Sequence, residues 1–462
     1  MSAEINNGSR SHDAPTGTTL NDFMATGWAP TPLEGLKPVA GASFAAARRK
    51  KLSAMYPGKL LVIHAGGLKV RSNDTDYRYR PHTAFAWLTA MEAGDATADA
   101  ALVFEPTATG HNEILFIRPR STRDTEAFYR DARYGEFWVG RRLTVEETRT
   151  RYVIETAHID SLDSHIQGKD FLDLTNKEFE TALSELRLIK DSHEVAEMQK
   201  AIDATHRGFA DMVRVLPAAT SQPRGERIVE SAFFGRARLE GNDLGYETIA
   251  ASGSHACILH WIRNDGDVRP GELILIDAGV EVDSYYTADI TRTLPINGKF
   301  TEAQRKIYML VYQAQRAAMA AVKPGAKFKD INLAGQEVLA QGLAEMGVLP
   351  ISAEESMKPE VGLHRRWTVH GVSHMLGMDV HDCAQARADQ YADGVLAAGM
   401  ILTVEPGLYI HEDDELFPAE YRGIGVRIED DVLVTETGHR NLSAGLPSHP
   451  DEVEVWMANL LR

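Results

Sequence analysis

The second half of the chain carries five side chains of the kinds that bind hard divalent cations. They are four carboxylates and one imidazole, each in a short local signature: Asp277-Ala-Gly, Ala-Asp289-Ile-Thr-Arg, His370-Gly-Val-Ser-His374, Val-Glu405-Pro-Gly and Arg427-Ile-Glu429. Oxygen ligands with one nitrogen suit a pair of such ions. A metal pair of this kind activates water for hydrolysis. The residue types therefore predict a dinuclear hydrolytic centre.

Three of these acids follow apolar runs that predict buried strands. Asp277 ends the run Leu-Ile-Leu-Ile, Glu405 follows Met-Ile-Leu-Thr-Val, and Glu429 closes Gly-Val-Arg-Ile. A carboxylate in such a place is costly unless a cation or hydrogen-bond donors meet it. Any one of the five ligand candidates, taken singly, fits an ordinary structural role better. The five together, in these contexts, favour a shared metal site.

The spacing of the two aspartates predicts a hairpin. Asp277 and Asp289 are symmetric about Asp283, and Asp283-Ser284 is a turn signal. A hairpin centred on Asp283 places the two aspartates directly opposite each other on one face, with Cβ atoms about 4.5–5.5 Å apart. That separation suits carboxylates shared by two metal ions about 3.5–4 Å apart.

Strand alternation also gives the second glutamate a neighbour. In residues 425–429, period-two alternation puts Arg427 and Glu429 on one face and the two apolar side chains on the other. An arginine beside a ligand carboxylate can hydrogen-bond its free oxygen. Arg427 is therefore a candidate supporting residue of the site.

Composition restricts the class of protein. The chain has 462 residues, 44% apolar and 25% charged, which predicts a globular protein of two or three domains. A formal net charge of −17 disfavours a nucleic-acid or anionic-membrane partner. Two cysteines exclude a disulfide framework, and neither a signal-peptide core nor a run of about 18 apolar residues is present. We expect a cytoplasmic protein without a membrane span.

The pattern of strands and helices predicts the domain organisation. Residues 1–40 are interpreted as a mobile leader, residues 41–175 as a smaller α/β N-terminal domain, and residues 176–462 as the catalytic domain. In the N-terminal domain we predict a helix at 42–56 and strands at 59–64, 100–104 and 113–117. In the catalytic domain we predict helices at 186–216, 226–240, 301–322 and 328–346, with Ser192 at a helix cap.

The motifs resemble those of the pita-bread metallopeptidases, a family that includes aminopeptidase P, prolidase and methionine aminopeptidase. The similarity covers about residues 185–445 and rests on intact Asp-Ala-Gly, Ala-Asp-Ile-Thr-Arg-Thr, His-Gly-x-Ser-His-x-x-Gly-x-Asp-x-His-Asp, Glu-Pro-Gly-Leu-Tyr and Arg-Ile-Glu motifs. The segment 71–85 is similar, more loosely, to the N-terminal domain of aminopeptidase P. The resemblance implies an α/β (α+β) fold, with a helix-covered, curved antiparallel sheet in the catalytic domain.

The resemblance also implies ligands and roles. The five residues Asp277, Asp289, His374, Glu405 and Glu429 would bind two divalent ions, with Mn²⁺ as the expected metal and Co²⁺ or Zn²⁺ as alternatives. A water bridging the ions would attack the bond between an N-terminal residue and proline, with Glu405 moving the proton. The remaining implied site residues are three histidines near the substrate and two residues that support Asp277: His260, His370, His381, Arg427 and Tyr409.

Three other functions remain open at this point. A prolidase would share the metals and histidines but cleave only Xaa-Pro dipeptides. A creatinase-like enzyme and a non-catalytic binding protein of the same fold are disfavoured, because such relatives usually lack part of the ligand set. The expected partners are peptides with proline at the second position, with no nucleic acid or membrane. The resemblance further implies a homodimer or a homotetramer.

Overall fold

The computed structural model describes residues 17–461. Helix α1 (Thr18–Met24) lies within the predicted leader, whose residues 1–16 fall outside the described range. The remaining helices of the first part are α2 (Ala42–Met55), α3 (Thr83–Thr89), α4 (Ala127–Arg130), α5 (Glu136–Val139), α6 (Val145–Tyr152) and α7 (Leu162–Ile166). Its strands are β1 (Leu60–His64), β2 (Val70–Ser72), β3 (Thr75–Asp76), β4 (Ala101–Thr107), β5 (Gly110–Ile117), β6 (Glu155–His158) and β7 (Phe171–Leu172).

A mixed five-stranded sheet is the centre of the first part. Its strand order is β6-β5-β4-β1-β7, antiparallel in the middle and parallel at both edges. The predicted helix 42–56 and the strands 59–64, 100–104 and 113–117 are confirmed within a few residues by α2, β1, β4 and β5. The first part is therefore an α/β unit, as the interleaved pattern indicates.

The second part holds most of the helices and a set of antiparallel strands. Its helices are α8 (Lys177–Leu186), α9 (Ser192–Ala219), α10 (Gly225–Glu240), α11 (Glu302–Ala321), α12 (Phe328–Glu345), α13 (Ala353–Ser356) and α14 (Pro450–Leu460). Its strands are β8 (Asp243–Leu244), β9 (Ile249–Ser252), β10 (Leu273–Ala278), β11 (Val280–Glu281), β12 (Ile290–Pro295), β13 (Ile401–Val404), β14 (Gly407–Ile410), β15 (Ile424–Arg427), β16 (Asp430–Val434) and β17 (His439–Asn441).

The predicted helix 186–216 is wrong at its start. Helix α8 ends at Leu186, and α9 begins only at Ser192, so residues 187–191 interrupt the predicted helix. The cap is Asp191 and not Ser192, because the Asp191 carboxylate accepts the backbone N–H groups of His193 and Glu194. Glu194 in turn accepts the N–H of Asp191, which completes a capping box.

The strands of the second part form small antiparallel sheets that meet at the candidate site. Strands β9, β10 and β12 form one sheet, β13, β16 and β17 a second, and β14 and β15 a third. Hydrogen bonds join them: the Glu429 N–H donates to Thr291 O at 3.1 Å, and the Arg427 N–H donates to Thr293 Oγ1 at 3.1 Å. The Asp289 N–H donates to Asp431 Oδ2 of β16 at 3.2 Å, which joins the second sheet to the first. The ends of β10, β12, β13 and β15, which precede or follow the candidate ligands, are thereby brought together.

Helices cover these sheets. Helices α9 and α10 pack against each other through Phe209 and Phe233, whose ring centroids lie 6.4 Å apart. Helix α11 buries Ile307 in a core shared with Leu408 and Val426 of β14 and β15. Burying each of these side chains contributes about 1.5–3 kcal/mol of transfer free energy. Within residues 17–461, no helix combines the length and apolar character needed to cross a membrane.

The predicted hairpin forms, but its register differs from the prediction. Asp277 pairs with Thr291 and not with Asp289, so the hairpin is centred on Ser284. The cause is a three-residue loop: the Val282 N–H donates to Tyr286 O at 3.0 Å, and Tyr285 has a φ of 68°. Such loops place their last residue in the left-handed region. Asp289 lies two residues from Thr291, so both aspartates still share a face, as diagonal neighbours.

Candidate metal centre

The five predicted ligands line a single cavity of about 580 Å³. Asp277 comes from β10, and Asp289 directly precedes β12. Glu405 directly follows β13, and Glu429 lies two residues after the end of β15, directly before β16. His374 lies on the loop before β13, where its backbone N–H donates to Thr403 Oγ1 at 3.1 Å. Short sheets that end at one place therefore gather residues that are far apart in the chain.

The candidate ligand atoms are close enough to share cations. Asp289, His374 and Glu429 each offer one atom, and these atoms all lie within 4.8 Å of one another. His374 Nε2 is 3.2 Å from Asp289 Oδ2 and 3.5 Å from Glu405 Oε1. The Asp277 carboxylate, held from behind by Arg427, lines the same cavity.

Burial and mutual repulsion make the carboxylates poor anions on their own. Burial raises the pKa of Glu405 to about 7, against the attraction of His374 and with further repulsion from Asp289. Burial also raises the pKa of Asp289 and raises that of Glu429 well above its usual range, with repulsion from neighbouring carboxylates adding to both. With His374 neutral, as a metal ligand must be, the four carboxylates and the Arg427 guanidinium carry a formal charge of −3. This surplus and the oxygen-rich donor set fit two divalent cations.

His374 is held in the cationic form by the same acids. Burial would lower its pKa, but the hydrogen bond to Asp289 and the charge of Glu405 outweigh burial and raise the pKa to about 9. An imidazole must lose this proton to bind a metal, so metal binding and proton release are linked at this residue.

One further buried acid stands behind the ligands. Asp431 accepts the backbone N–H of Asp289 through Oδ2 at 3.2 Å. Its other oxygen, Oδ1, is buried and has no hydrogen-bond partner within residues 17–461. Burial, with repulsion from Asp289, raises the pKa of Asp431 well above its usual range. The Asp431 carboxyl, like the carboxyls of the ligands, is therefore a buried acid that a nearby cation would stabilise in its ionised form.

A hydrogen-bonded chain supports Asp277. Arg427 Nη2 donates to Asp277 Oδ2 at 2.5 Å, and Arg427 Nη1 donates to Tyr409 Oη at 3.0 Å. Arg427 Nε donates to Thr291 Oγ1 at 3.2 Å, and Thr291 Oγ1 donates to Glu429 Oε2 at 2.6 Å. The predicted contact of Arg427 and Tyr409 with the Asp277 side of the site is present in the structure.

The three additional histidines line the same cavity, but they differ in what their rings contact. His370 Nδ1 lies 2.7 Å from Gly371 O, which can only accept, so this nitrogen carries the proton. His370 Nε2 then accepts from Tyr409 Oη at 2.7 Å. Burial lowers the pKa of His370 to about 4, so the ring is neutral near pH 7.

His260 and His381 leave their ring nitrogens open to the cavity. Among the described residues, neither ring makes a hydrogen bond, and both residues are exposed where they line the cavity. The His381 ring packs edge-on against His374, with centroids 4.5 Å apart. These two histidines are available to a substrate, whereas both nitrogens of His370 are already engaged.

Tyr246 belongs to the site although no sequence motif predicts it. Its hydroxyl lies 2.6 Å from Asp277 Oδ1 and 2.5 Å from Asp289 Oδ1. One hydroxyl proton can be donated to only one of these oxygens. Tyr246 stands three residues before β9, the strand that pairs with β10 and Asp277. The position of Tyr246 just before β9 could have predicted its contact with Asp277, but only if the pairing of β9 with β10 were known.

Both parts of the chain match families of known proteins. The family profile of Metallopeptidase family M24 matches residues 196–436, and the profile described as Aminopeptidase P, N-terminal domain, matches residues 45–170. Xaa-Pro aminopeptidase 1 of Streptomyces coelicolor is 52% identical over 461 residues, covering 96% of this chain and 92% of that protein. Xaa-Pro aminopeptidase of Escherichia coli is 32% identical, covering 91% of this chain and 99% of that protein.

Solved structures agree with this placement. The low-pH form of Escherichia coli aminopeptidase P has a TM-score of 0.79 and 30% identity, covering 91% of this chain and 98% of that one. A zinc-substituted form of the same enzyme, in complex with product, has a TM-score of 0.79 and 30% identity over 92% of this chain and 100% of that one.

Proposed function

This chain belongs to Metallopeptidase family M24, and from that premise we propose how its site works and on which substrates. It is a hydrolase of the metallo-aminopeptidase class, with the mixed α/β fold of the aminopeptidase P structures. The reaction is hydrolysis of the peptide bond between an N-terminal residue and proline. The observation that carries this function is the gathering of five ligand-type residues in one cavity, in a chain whose relatives are named Xaa-Pro aminopeptidases. A prolidase is not favoured by these relatives.

The metals of the site are divalent cations, in keeping with the family. We propose two ions, with Mn²⁺ preferred and Co²⁺ or Zn²⁺ able to replace it, held by Asp277, Asp289, His374, Glu405 and Glu429. The charge surplus of the carboxylates and the spacing of the ligand atoms support this assignment. When bound, such ions lower the pKa of water and polarise the carbonyl of the scissile bond.

Glu405 is proposed to move the proton. Its carboxylate makes only long contacts: Oε1 lies 3.5 Å from both Thr403 Oγ1 and His374 Nε2, and Oε2 lies 3.7 Å from His370 Nδ1. A carboxylate without strong donors, whose burial raises its pKa to about 7, can both accept and release a proton near neutral pH. Glu405 would take the proton of the attacking water and give it to the proline nitrogen as the C–N bond breaks.

The histidines and apolar walls of the cavity are proposed to recognise the substrate. An Xaa-Pro amide has no N–H, so recognition of proline depends on ring contacts and the neighbouring carbonyl groups. Leu259, Ile262 and Val380 line the cavity and offer apolar contact to the pyrrolidine ring. His260 and His381, whose ring nitrogens are open, would donate to substrate oxygens and stabilise developing negative charge.

His370 is proposed to act through its neutral ring and not as a donor to substrate. Both of its nitrogens are engaged, one by Gly371 O and the other by Tyr409 Oη. Tyr409 also accepts from Arg427, which in turn holds Asp277. We therefore assign His370, Tyr409 and Arg427 a joint role: they fix the Asp277 carboxylate and the wall of the cavity near Glu405.

The assembly and the domain arrangement are also proposed from the membership of the chain in this family. Residues 41–175 form the N-terminal domain and residues 176–462 the catalytic domain, in line with profile matches at 45–170 and 196–436. We propose a homodimer or a homotetramer in the cytoplasm. The peptide substrates carry proline at the second position, and the net charge of −17 disfavours a nucleic-acid partner.

The test is hydrolysis of three matched peptides by enzyme loaded with Mn²⁺: Ala-Pro-Ala, Ala-Pro and Ala-Ala-Ala. We expect release of the first residue from Ala-Pro-Ala and no cleavage of Ala-Ala-Ala, with products identified by mass spectrometry. The Asp289→Ala variant is the control and should be inactive. Cleavage of Ala-Pro alone would make the protein a prolidase. Cleavage of none of them by metal-loaded enzyme would refute the peptidase function.

A further inference from the structure

One histidine of the cavity has a position that its own ring does not fix. His381 belongs to residues 376–383, which we call the histidine loop. Its ring lines the catalytic cavity and makes no hydrogen bond to any residue within the described range 17–461. Apart from its edge-on contact with His374, the place of this ring therefore depends on how the backbone of the histidine loop is held.

The next residue in the chain is anchored by two buried cations. The Asp382 carboxylate accepts from Lys190 Nζ at 2.8 Å and from Arg187 Nη2 at 3.2 Å. The side chains of Lys190 and Asp382 are only 1% and 2% exposed, and that of Arg187 is 7% exposed. Lys190 Nζ also donates to Arg187 O at 2.9 Å, which ties the two cations together. These three residues form what we call the Asp382 cluster.

The two cations come from the segment that interrupts the predicted helix. Residues 187–191 lie between α8 and α9, and they leave the helical path where Arg187 and Lys190 meet Asp382. Opposite charges outweigh burial and lower the pKa of Asp382 to about 2, so the carboxylate is ionised. Removing either side of such a buried pair leaves an uncompensated charge, which is strongly unfavourable.

The backbone beside the Asp382 cluster is fixed by an unusual conformation and by close contacts. Cys383 has a φ of 59°, in the left-handed region that residues other than glycine rarely adopt. The Asp382 N–H donates to Met375 O at 2.9 Å. A Cβ on Gly377 would lie 2.3 Å from Asp382 Oδ2, so the carboxylate lies directly over this glycine. Strained backbone persists only where the surrounding contacts enforce it.

The first part of the chain reaches the same loop. Arg80 Nη2 donates to Met378 O at 2.7 Å, and Thr83 Oγ1 donates to Asp379 Oδ1 at 2.5 Å. Arg187 Nη2 lies 3.5 Å from Asp379 Oδ2. Arg80 Nε also donates to Glu281 Oε2 at 2.7 Å, next to the hairpin loop between the two metal-binding aspartates. The histidine loop is thus held by the first part of the chain and by the segment between α8 and α9.

We propose that the Asp382 cluster is a positioning device for His381, with Asp382, Lys190 and Arg187 as positioning residues of the reaction. The inference rests on the proposed function, in which His381 contacts the substrate. Asp382 does not line the cavity; it acts by fixing the backbone from which the neighbouring imidazole projects. A displacement of about 1 Å at such a group can cost about 10²-fold in rate.

The test is a double-mutant cycle on kcat/KM for Ala-Pro-Ala with Asp382→Asn, His381→Ala and the double variant. If Asp382 acts through His381, Asp382→Asn lowers kcat/KM about tenfold or more in the wild-type background. In the His381→Ala background the same change lowers it by less than about twofold, because the positioned group is gone. An equal loss in both backgrounds, or no loss in either, would overturn the proposal.

A second pair of variants guards against loss of folding. Lys190→Arg keeps the positive charge and should retain most of the activity, whereas Lys190→Met should reproduce the defect of Asp382→Asn. Glu113→Gln, which breaks the ion pair of Glu113 with Arg49 in the first sheet, is the matched control and should leave kcat/KM unchanged. Equal activity of Lys190→Met and wild type would contradict the proposal.

Hydrogen exchange gives a readout that does not depend on activity. In Asp382→Asn, exchange should accelerate in residues 376–383 and remain unchanged in the first sheet. Unchanged exchange in this loop would refute the anchoring. If the wild-type enzyme failed to cleave Xaa-Pro peptides, the proposed function would fail, while the exchange experiment would still decide whether Asp382 holds the loop.

Discussion

Replacing Glu405 by glutamine should make the metal-free protein more stable, although the change removes a proposed ligand and the proposed base. Glutamine keeps the size and shape of the side chain and removes its charge. In the folded, metal-free protein that charge is unfavourable, because burial and the neighbouring carboxylates raise the pKa of Glu405 to about 7. In the unfolded chain the same carboxyl is solvated and has its ordinary pKa of 4.5.

The size of the effect follows from linkage. Above both pKa values, a carboxyl whose pKa is raised from 4.5 to about 7 destabilises the fold by about 3 kcal/mol. A raised acid pKa means that the folded state binds more protons between these values, so the stability of metal-free wild type falls as pH rises through this window. At pH 8 the glutamine variant should therefore be about 3 kcal/mol more stable than wild type, and at pH 5 the difference should shrink to about 1 kcal/mol.

The assay is urea unfolding of both proteins in EDTA at pH 8 and pH 5, repeated at pH 8 with Mn²⁺. Metal that binds only the folded state stabilises it by mass action, so Mn²⁺ should raise the midpoint of wild type much more than that of Glu405→Gln. Glu337→Gln, which neutralises an exposed carboxylate on α12, is the matched control and should change neither midpoint.

Two results of the urea experiment would contradict the predicted effect of the Glu405 charge. If Glu405→Gln were less stable than wild type in EDTA at pH 8, the ionised Glu405 carboxylate would not be destabilised by burial and by its acidic neighbours as predicted. A difference independent of pH between 5 and 8 would also contradict it, because the predicted gain comes from ionisation of this one carboxyl.

Three further predictions follow from the surroundings of the ligands. Arg427→Met removes the donor to Asp277 and Tyr409, and it should lower kcat/KM by about 10–100-fold; unchanged kinetics would contradict the supporting role. Tyr246→Phe removes a hydrogen bond to a carboxylate and should lower the unfolding free energy of the metal-free protein by about 2 kcal/mol, measured in urea; no loss would refute this contact. Gly279→Ala places a Cβ 1.8 Å from Ala288 O, so the hairpin must open, and Mn²⁺ binding measured by calorimetry should be lost; normal affinity would refute the predicted clash.

The candidate ligands could be predicted from the sequence because each of them stands in a short motif whose local structure is predictable. Glu405 is followed by Pro406-Gly407, and Asp277 ends an apolar run, so the positions of these residues at strand ends could be predicted without a structure. Helix and strand positions were predicted well where the pattern is long, as in α10, α11 and α12. The five proposed ligands do meet in one cavity.

Three features of the structure were not predicted from the sequence: the hairpin register, the interruption of the helix at 186–216, and the place of Tyr246. The hairpin centre moved by one residue, and the partner of Asp277 by two, because a three-residue loop ending in Tyr285 replaced the turn predicted at Asp283. The helix predicted at 186–216 is interrupted at residues 187–191, where Arg187 and Lys190 meet Asp382, nearly two hundred residues away in the chain. Tyr246 reaches the aspartates only through the pairing of β9 with β10. The contacts of Asp382 and Tyr246 are not local, so no local pattern could reveal them. The capping box of Asp191 and Glu194 is local, and it is the sequence signal that marks the start of α9.

The central claim is that five gathered residues hold the divalent ions on which peptide hydrolysis depends. The most direct measurement is a titration of metal-free protein with Mn²⁺ that records bound metal and the rate of Ala-Pro-Ala cleavage in the same samples. The account predicts no cleavage without metal, activity that rises as two equivalents bind, and loss of both binding and cleavage in Asp289→Ala and Glu429→Gln. Full cleavage by the metal-free protein, or undiminished Mn²⁺ binding and cleavage in these variants, would contradict it.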